Sequence, residues 1–243
     1  MKLKYDLHIH SCLSPCADND MTPNNIVALS KMIGLDVIAV TDHNAMANSV
    51  ATVKAACMQG GILALPGMEM ETLEEVHLIC LFCNIEDAQA FYRDFCPFAP
   101  TIKNNPEIYG KQIIMDEHDN ETGIEEHLLV SASALSLDNA VLMVKKHNGA
   151  CVPAHVDKQS YSIISNLGFI SEEMGFGAVE IYFKDELQKF LTQNPYLSKY
   201  RIIHNSDAHH LCDILTGESE LDILEGREND ESVIKFLSNF TKT

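Results

Sequence analysis

Positive charge is scarce in this chain. Its 243 residues carry 17 lysines and arginines against 35 aspartates and glutamates, a formal net charge of −18. Such a balance argues against duplex DNA and against an anionic membrane surface as general partners, because both are bound largely through clustered basic side chains. Long apolar runs are missing too. No stretch approaches the roughly 20 residues that a membrane helix requires, and no signal-peptide pattern precedes the first apolar run, so a soluble cytoplasmic protein is expected. The eight cysteines (12, 16, 57, 80, 83, 96, 151 and 212) lack the doubled C-x-x-C spacing of zinc fingers. The isolated Cys80-Leu81-Phe82-Cys83 lies inside an apolar run, and reduced, packed thiols are the expectation. Internal repeats, low-complexity segments and any basic strip interleaved with aromatics are also lacking, which leaves no evident track for a long polynucleotide.

What is present is a regular alternation. At 46% hydrophobic residues the chain can bury a sizeable core. Seven short apolar runs read as strands: Leu3–His10, Asp36–Thr41, Ile62–Pro66, His77–Phe82, Ala150–Ala154, Ala178–Tyr182 and Arg201–Asn205. Helical stretches separate most of them, namely Pro23–Met32 behind the cap Thr22, Ala45–Cys57, Ile85–Phe95, Leu137–His147 and Glu186–Leu191. The runs are continuously apolar rather than alternating, as in strands covered on both faces. Parallel strands in a closed or nearly closed β/α barrel are therefore expected. Residues 97–130 break the rhythm with three prolines and an acidic stretch, and read as an insertion in a single domain spanning 1–243. Part of it, after Lys111 and Gln112, is expected to pack near the barrel mouth. A polar turn and a last helix around Ser232–Phe240 close the chain.

The polar residues at the ends of these runs carry the chemistry. A strand with period two points His8 and His10 to one side, and near the far end Asp207 and His209 repeat that spacing. Thr41-Asp42-His43 ends the second run, Glu69 follows the third and His155 ends the fifth. His77 opens the fourth run instead of closing it. In a barrel such strand ends gather at one rim. Six histidines and several carboxylates exceed what one catalytic zinc needs, which points to two or three divalent ions, zinc, manganese or iron, sharing Glu69 as a bridge. Such ions would also neutralise a phosphate that this acidic surface cannot. Asp42 is expected to orient a histidine; His118, His127, His147 and His204 read as ordinary histidines.

The motifs Asp6-Leu7-His8-Ile9-His10-Ser11, Thr41-Asp42-His43, Gly67-Met68-Glu69, His155 and Asn205-Ser206-Asp207-Ala208-His209 strongly resemble those of the PHP (polymerase and histidinol phosphatase) superfamily, and the resemblance covers nearly the whole chain. It implies a distorted seven-stranded (β/α)7 barrel, related to TIM barrels, with a trinuclear metal centre that hydrolyses phosphoesters through a metal-bridging hydroxide. By that resemblance His8, His10, Glu69 and Asp207 surround one ion, a first-loop ligand with His43 and His209 holds a second, and Glu69, His77 and His155 complete the third. The first loop departs from the family pattern and offers Cys16, Asp18 or Asp20. Asp18 is preferred, since a hard oxygen suits a hydrolytic site.

Asp207, His209, Glu69 and His43 are the expected catalytic set, with Lys158 and His210 as weaker candidates to meet the substrate. The expected substrate is a small phosphate ester, a phosphomonoester of a metabolite or nucleotide. Histidinol phosphate, phosphotyrosine and short oligonucleotides are alternatives within the same chemistry. A noncatalytic metal-binding regulatory module and C–N bond hydrolysis on the same kind of barrel are the competing classes.

Overall fold

The computed structural model describes residues 2–215, 219–222 and 230–238. In chain order its strands are β1 (Lys2–Ile9), β2 (Val37–Val40), β3 (Leu63–Glu71), β4 (His77–Leu81), β5 (Ile113–Met115), β6 (Glu121–Ile124), β7 (Ala150–Pro153), β8 (Ala178–Glu180), β9 (Arg201–Ile203) and β10 (Glu220–Asp222). All seven expected runs form strands. Residues 230–238 form the last helix, and the remainder of the expected Ser232–Phe240 helix lies outside the described residues.

A six-stranded sheet runs in the order β10-β1-β2-β3-β4-β7. β1, β2 and β3 are parallel and are connected by the helices Pro23–Met32 and Ala47–Gln59. Thr22 caps the first of these, its hydroxyl accepting from Asn25 N at 3.3 Å. β2, β4 and β7 are buried along their whole length, as continuous apolar runs require. On the inner side Leu7, Ala39, Leu65, Ile79, Val152 and Ile203 belong to one apolar cluster.

The expectation of a wholly parallel sheet is corrected at β4, which runs antiparallel to both β3 and β7. Only Thr72 to Val76 separate β3 from β4. That tight turn is closed by Thr72 N donating to Val76 O at 3.0 Å, and it is far too short for the crossover that parallel strands need. The expected closed or nearly closed barrel is seen in part. Among the described residues β8 and β9 form a separate parallel pair and are tied to their neighbours by isolated backbone bonds, Val156 N to Glu180 O and His10 N to Ala208 O, both 2.9 Å. The fold is an α/β sheet curled part of the way towards a barrel.

Residues 97–130 contain the β5–β6 hairpin, which lies against the first loop and the helix Ala47–Gln59. Ile113 N donates to Cys12 O at 3.0 Å, and Asn48 holds Ile113 O and Met115 N at 3.0 and 2.8 Å.

Candidate metal centre

Because β1 alternates its side chains, His8 and His10 leave it on one side, both fully buried, with their Nε2 atoms 3.2 Å apart. Each is oriented through its other nitrogen. His8 Nδ1 lies 3.1 Å from both oxygens of Glu180. His10 Nδ1 lies 3.0 Å from Ser14 Oγ, whose own proton goes to Asp42 Oδ1 at 2.7 Å. Ser14 therefore accepts from the imidazole. Asp42 thus orients a histidine indirectly, while also accepting from Ser11 N and Ser11 Oγ. With Nδ1–H committed, the Nε2 lone pairs of both rings face the interior of the site.

At the centre stands Glu69, 1% exposed, beside Gly67. A Cβ at that glycine would come within 2.7 Å of Leu81 and 2.9 Å of Thr41, so β3 passes its neighbours here at a distance that only glycine permits. Oε1 of Glu69 lies 3.2 Å from His8 Nε2, 2.9 Å from His77 Nδ1 and 3.2 Å from His155 Nε2. Oε2 lies 3.0 Å from His43 Nδ1 and 3.4 Å from His10 Nε2. One carboxylate is thus shared among five imidazoles. His77 reaches it from the first residue of β4, since that reversed strand brings its start, not its end, to the rim.

Asp207 completes the inner group, with Oδ1 3.2 Å from His10 Nε2 and 3.4 Å from His8 Nε2. Both Asp207 (φ +53°) and His155 (φ +31°) hold left-handed backbone, a strained choice for side chains of this kind and one concentrated at functional sites. Among the described residues three groups of ligand atoms lie close enough for an ion: His8, His10 and Asp207; His43, Glu69 and His77; and His10, Cys16, His43 and His209.

In the first loop it is Cys16, itself an exposed residue, whose sulfur lies within 4.8 Å of ligand atoms of His10, His43 and His209. Asp18 is turned outward, its carboxylate 2.6 Å from His210 Nδ1, with both side chains more than half exposed. Asp20 is exposed. His210 is consequently engaged at the edge of the site. Lys158 is nearer: its Nζ lies 2.5 Å from Asp207 Oδ2 and 3.9 Å from the centroid of the Tyr182 ring. Beside it an open cleft of about 540 Å³ is bordered by Tyr182, Asp207, His209 and His210.

Sequence reading missed Glu180. It accepts from His155 N at 2.8 Å and Asn205 Nδ2 at 2.7 Å besides His8. Its standing as the one charged residue inside the run Ala178–Tyr182 was the available signal. Of the histidines read as ordinary, His127 lies against Glu125 and His147 against Asp94, while His204, bonded to Ile181 O, borders the same cleft as Asp207 and His209.

Charge balance follows this crowding. Burial opposes every ionised form here, yet the surrounding imidazoles, His77 and His8 foremost, hold Glu69 well below the usual carboxylate range. His8 likewise brings Asp207 down against its burial. Glu69 and Glu71 outweigh burial at His77 and raise it to about 9. Burial, reinforced by neighbouring His43, drives His10 well below its ordinary value. Buried His43 Nδ1, His155 Nδ1 and Glu69 Oε2 make no hydrogen bond of acceptable geometry among the described residues. Unsatisfied nitrogen and oxygen donors converging in a buried site are the chemistry that divalent ions satisfy.

The chain belongs to the PHP domain family, whose model matches residues 6–166. A 90-residue segment is 34% identical to an uncharacterised protein of Methanocaldococcus jannaschii, spanning 34% of this chain and 52%, about half, of that relative. Among solved structures, the lesion-specific endonuclease Q of Pyrococcus furiosus superposes with a TM-score of 0.68 at 16% identity, over 97% of this chain and 56% of that one. A complex of endonuclease Q with a 27-mer duplex carrying an abasic lesion gives 0.66 at 17% identity, over 97% and 57%. A Bifidobacterium adolescentis protein assigned as a metal-dependent phosphoesterase gives 0.59 at 16% identity, over 90% and 92%.

These findings correct the expected partners. A fold shared with more than half of a protein that engages duplex DNA removes the ground for excluding DNA, or for restricting the substrate to small molecules, on net charge alone. Net charge sums the whole surface, whereas binding is decided by local charge, to which bound metal ions contribute. Among the described residues no helix is long and apolar enough to cross a membrane.

Proposed function

We propose that the centre hydrolyses a phosphate ester. The observation that carries this reading is Glu69, one buried carboxylate contacting five imidazoles through its two oxygens, with Asp207 completing the donor set. His8, His10, Glu69 and Asp207 would hold one ion, His43 and His209 with a first-loop ligand a second, and Glu69, His77 and His155 a third. Ions held there would supply an activated water and positive charge for the phosphoryl oxygens.

The chain's own groups do the rest. Glu180 and Ser14 fix the tautomers of His8 and His10. The ammonium of Lys158, at the mouth beside Asp207, meets a phosphoryl oxygen. Asp207, His209, Glu69 and His43 make up the catalytic set. Eight unpaired cysteines accord with a reducing, cytoplasmic setting.

A second reading within the same chemistry is cleavage of a nucleic-acid backbone, favoured by the likeness to endonuclease Q. One experiment separates the readings: purified protein loaded with zinc or manganese is assayed on phosphomonoesters, phosphodiesters, amides and duplex DNA with and without an abasic site. Phosphate release from monoesters supports the first reading, and strand cleavage the second. A loaded protein inert across the panel, or one that acts only on amides, refutes both.

A further inference from the structure

We infer that Cys16 is a metal ligand, and that the centre contains one sulfur–nitrogen position, built by Cys16 with His43, His209 and the adjoining His10, beside nitrogen–oxygen positions around Glu69 and Asp207. This rests on reading the site as a metal centre and adds which class of ion one position selects. The ligand atoms of these four residues all lie within 4.8 Å of one another, a spacing that one ion with bonds of about 2.3 Å to sulfur and about 2.0–2.1 Å to nitrogen can bridge. The three rings are already gathered, His10 to His43 with centroids 4.5 Å apart and His10 to His209 at 4.4 Å. Buried His43 Nδ1 has no hydrogen-bond partner of acceptable geometry.

Cys16 owes its place to the loop, which is held at three points. Ser11 and Ser14 both donate to Asp42 at 2.6 and 2.7 Å. Ala17 N donates to Ser14 O at 3.0 Å, making a turn with Cys16 in its bend, and Asp18 N donates to His209 O at 3.0 Å. The last bond ties the loop to the segment carrying His209, so that Cys16 and His209 stay together while Asp18 turns to His210. The chemistry then divides the centre. Thiolate with imidazole favours zinc and cobalt, whereas the positions that pair imidazoles with a carboxylate also accept manganese or iron.

The test reads metal binding rather than turnover. Full-length protein, stripped with chelator, is titrated with Co²⁺ alone. The wild type is expected to develop a thiolate-to-cobalt charge-transfer band in the near ultraviolet. Cys16→Ser is expected to lose it, and so is Cys16→His, which keeps visible cobalt absorption because imidazole replaces sulfur. In parallel, iodoacetamide labelling is mapped by mass spectrometry. Zinc should slow alkylation of Cys16 by at least about tenfold, since a metal-held thiolate is withdrawn from reaction. Cys57, Cys96 and Cys212, also exposed, serve as references.

The inference is overturned if the band survives in Cys16→Ser or Cys16→His with wild-type circular dichroism, or if Cys16 reacts equally fast with and without bound zinc. A chain that binds no metal overturns both this inference and the hydrolase reading. A chain that shows the band but cleaves no phosphate ester overturns the hydrolase reading alone.

Discussion

Both carboxylate oxygens of Glu180 stand 3.1 Å from Nδ1 of His8, and both residues are fully enclosed. The carboxylate fixes the ring with its proton on Nδ1 and keeps Nε2 free, the arrangement in which a carboxylate beyond the ligand raises its basicity. Glu180→Gln keeps an oxygen for His155 N but offers His8 an amide. Metal affinity should fall about 10- to 100-fold, measured by competition with a chelator, while the far-ultraviolet circular dichroism stays that of the wild type. Unchanged affinity would mean that Glu180 serves only to hold the β8 end in place.

Glu69 is the one carboxylate that contacts His8, His77 and His155 through one oxygen and His43 and His10 through the other. Glu69→Gln retains volume and one oxygen while removing the charge around which five histidines are arranged. Hydrolysis should drop at least about a hundredfold, and metal analysis should show fewer ions per chain than in the wild type. A variant with full metal content and near-native turnover would remove Glu69 from the centre.

How far the sequence foretold this site depended on strand direction. His8, His10, His43, Glu69, His155, Asp207 and His209 all lie at or just beyond the ends of the apolar runs or in the segments that follow them, where counting those runs finds them. His77 escaped that rule because the Thr72–Val76 turn reverses β4, and periodicity carries no sign of direction. Glu180 lies in the middle of the apolar run Ala178–Tyr182, so it did not stand out as a run end, whereas the strand that forms there ends at Glu180. Cys16 and Asp18 were separated by chemistry alone at that stage. The bonds from Ser11 and Ser14 to Asp42, which decide which of the two faces inward, join residues 28 and 31 positions apart and leave no local trace.

The pH dependence of metal binding should follow His77. Its imidazole is raised to about 9 by Glu69 and Glu71 despite burial, so in the metal-free protein it holds a proton. A raised pKa contributes stability that is fully present below the unfolded value of about 6.5 and lost as pH climbs through about 9. Binding runs the opposite way, because an ion requires the neutral ring. Zinc affinity, corrected for the competitor's own protonation, should therefore rise between pH 6.5 and 9, and in His77→Gln that rise should be shallower. An affinity flat or falling across the interval would contradict the assignment.

Lys158 tests substrate contact apart from metal binding. Its Nζ reaches Asp207 and rests over Tyr182, at the mouth rather than among the donors. An ammonium bonded to a phosphoryl oxygen contributes about 1.5–3 kcal/mol, equivalent to about 10- to 150-fold in KM. Lys158→Met, which keeps the stem over the ring, should raise KM by that factor with metal content unaltered. Loss of an ion instead would place Lys158 in the support of Asp207.

The segment 97–130 carries an equally specific expectation. Asp119, itself at φ +60°, accepts from Thr22 Oγ at 2.6 Å, Asn24 N at 3.0 Å and Asn24 Nδ2 at 3.1 Å. It thereby supplies a negative charge at the start of the helix Pro23–Met32, where the free N–H groups and the helix dipole favour one. Asp119→Ala should cost about 1 kcal/mol and lower Tm by about 2–4 °C in a metal-free thermal melt. Asp119→Asn, which keeps the acceptor but not the charge, should fall between the two. Because the same hairpin rests on Cys12 and Asn48 beside the first loop, the Asp119→Ala change should also quicken hydrogen exchange of Ile113 N and Met115 N. If stability drops while those two amides exchange as before, Asp119 serves the helix alone and the hairpin is held by Asn48.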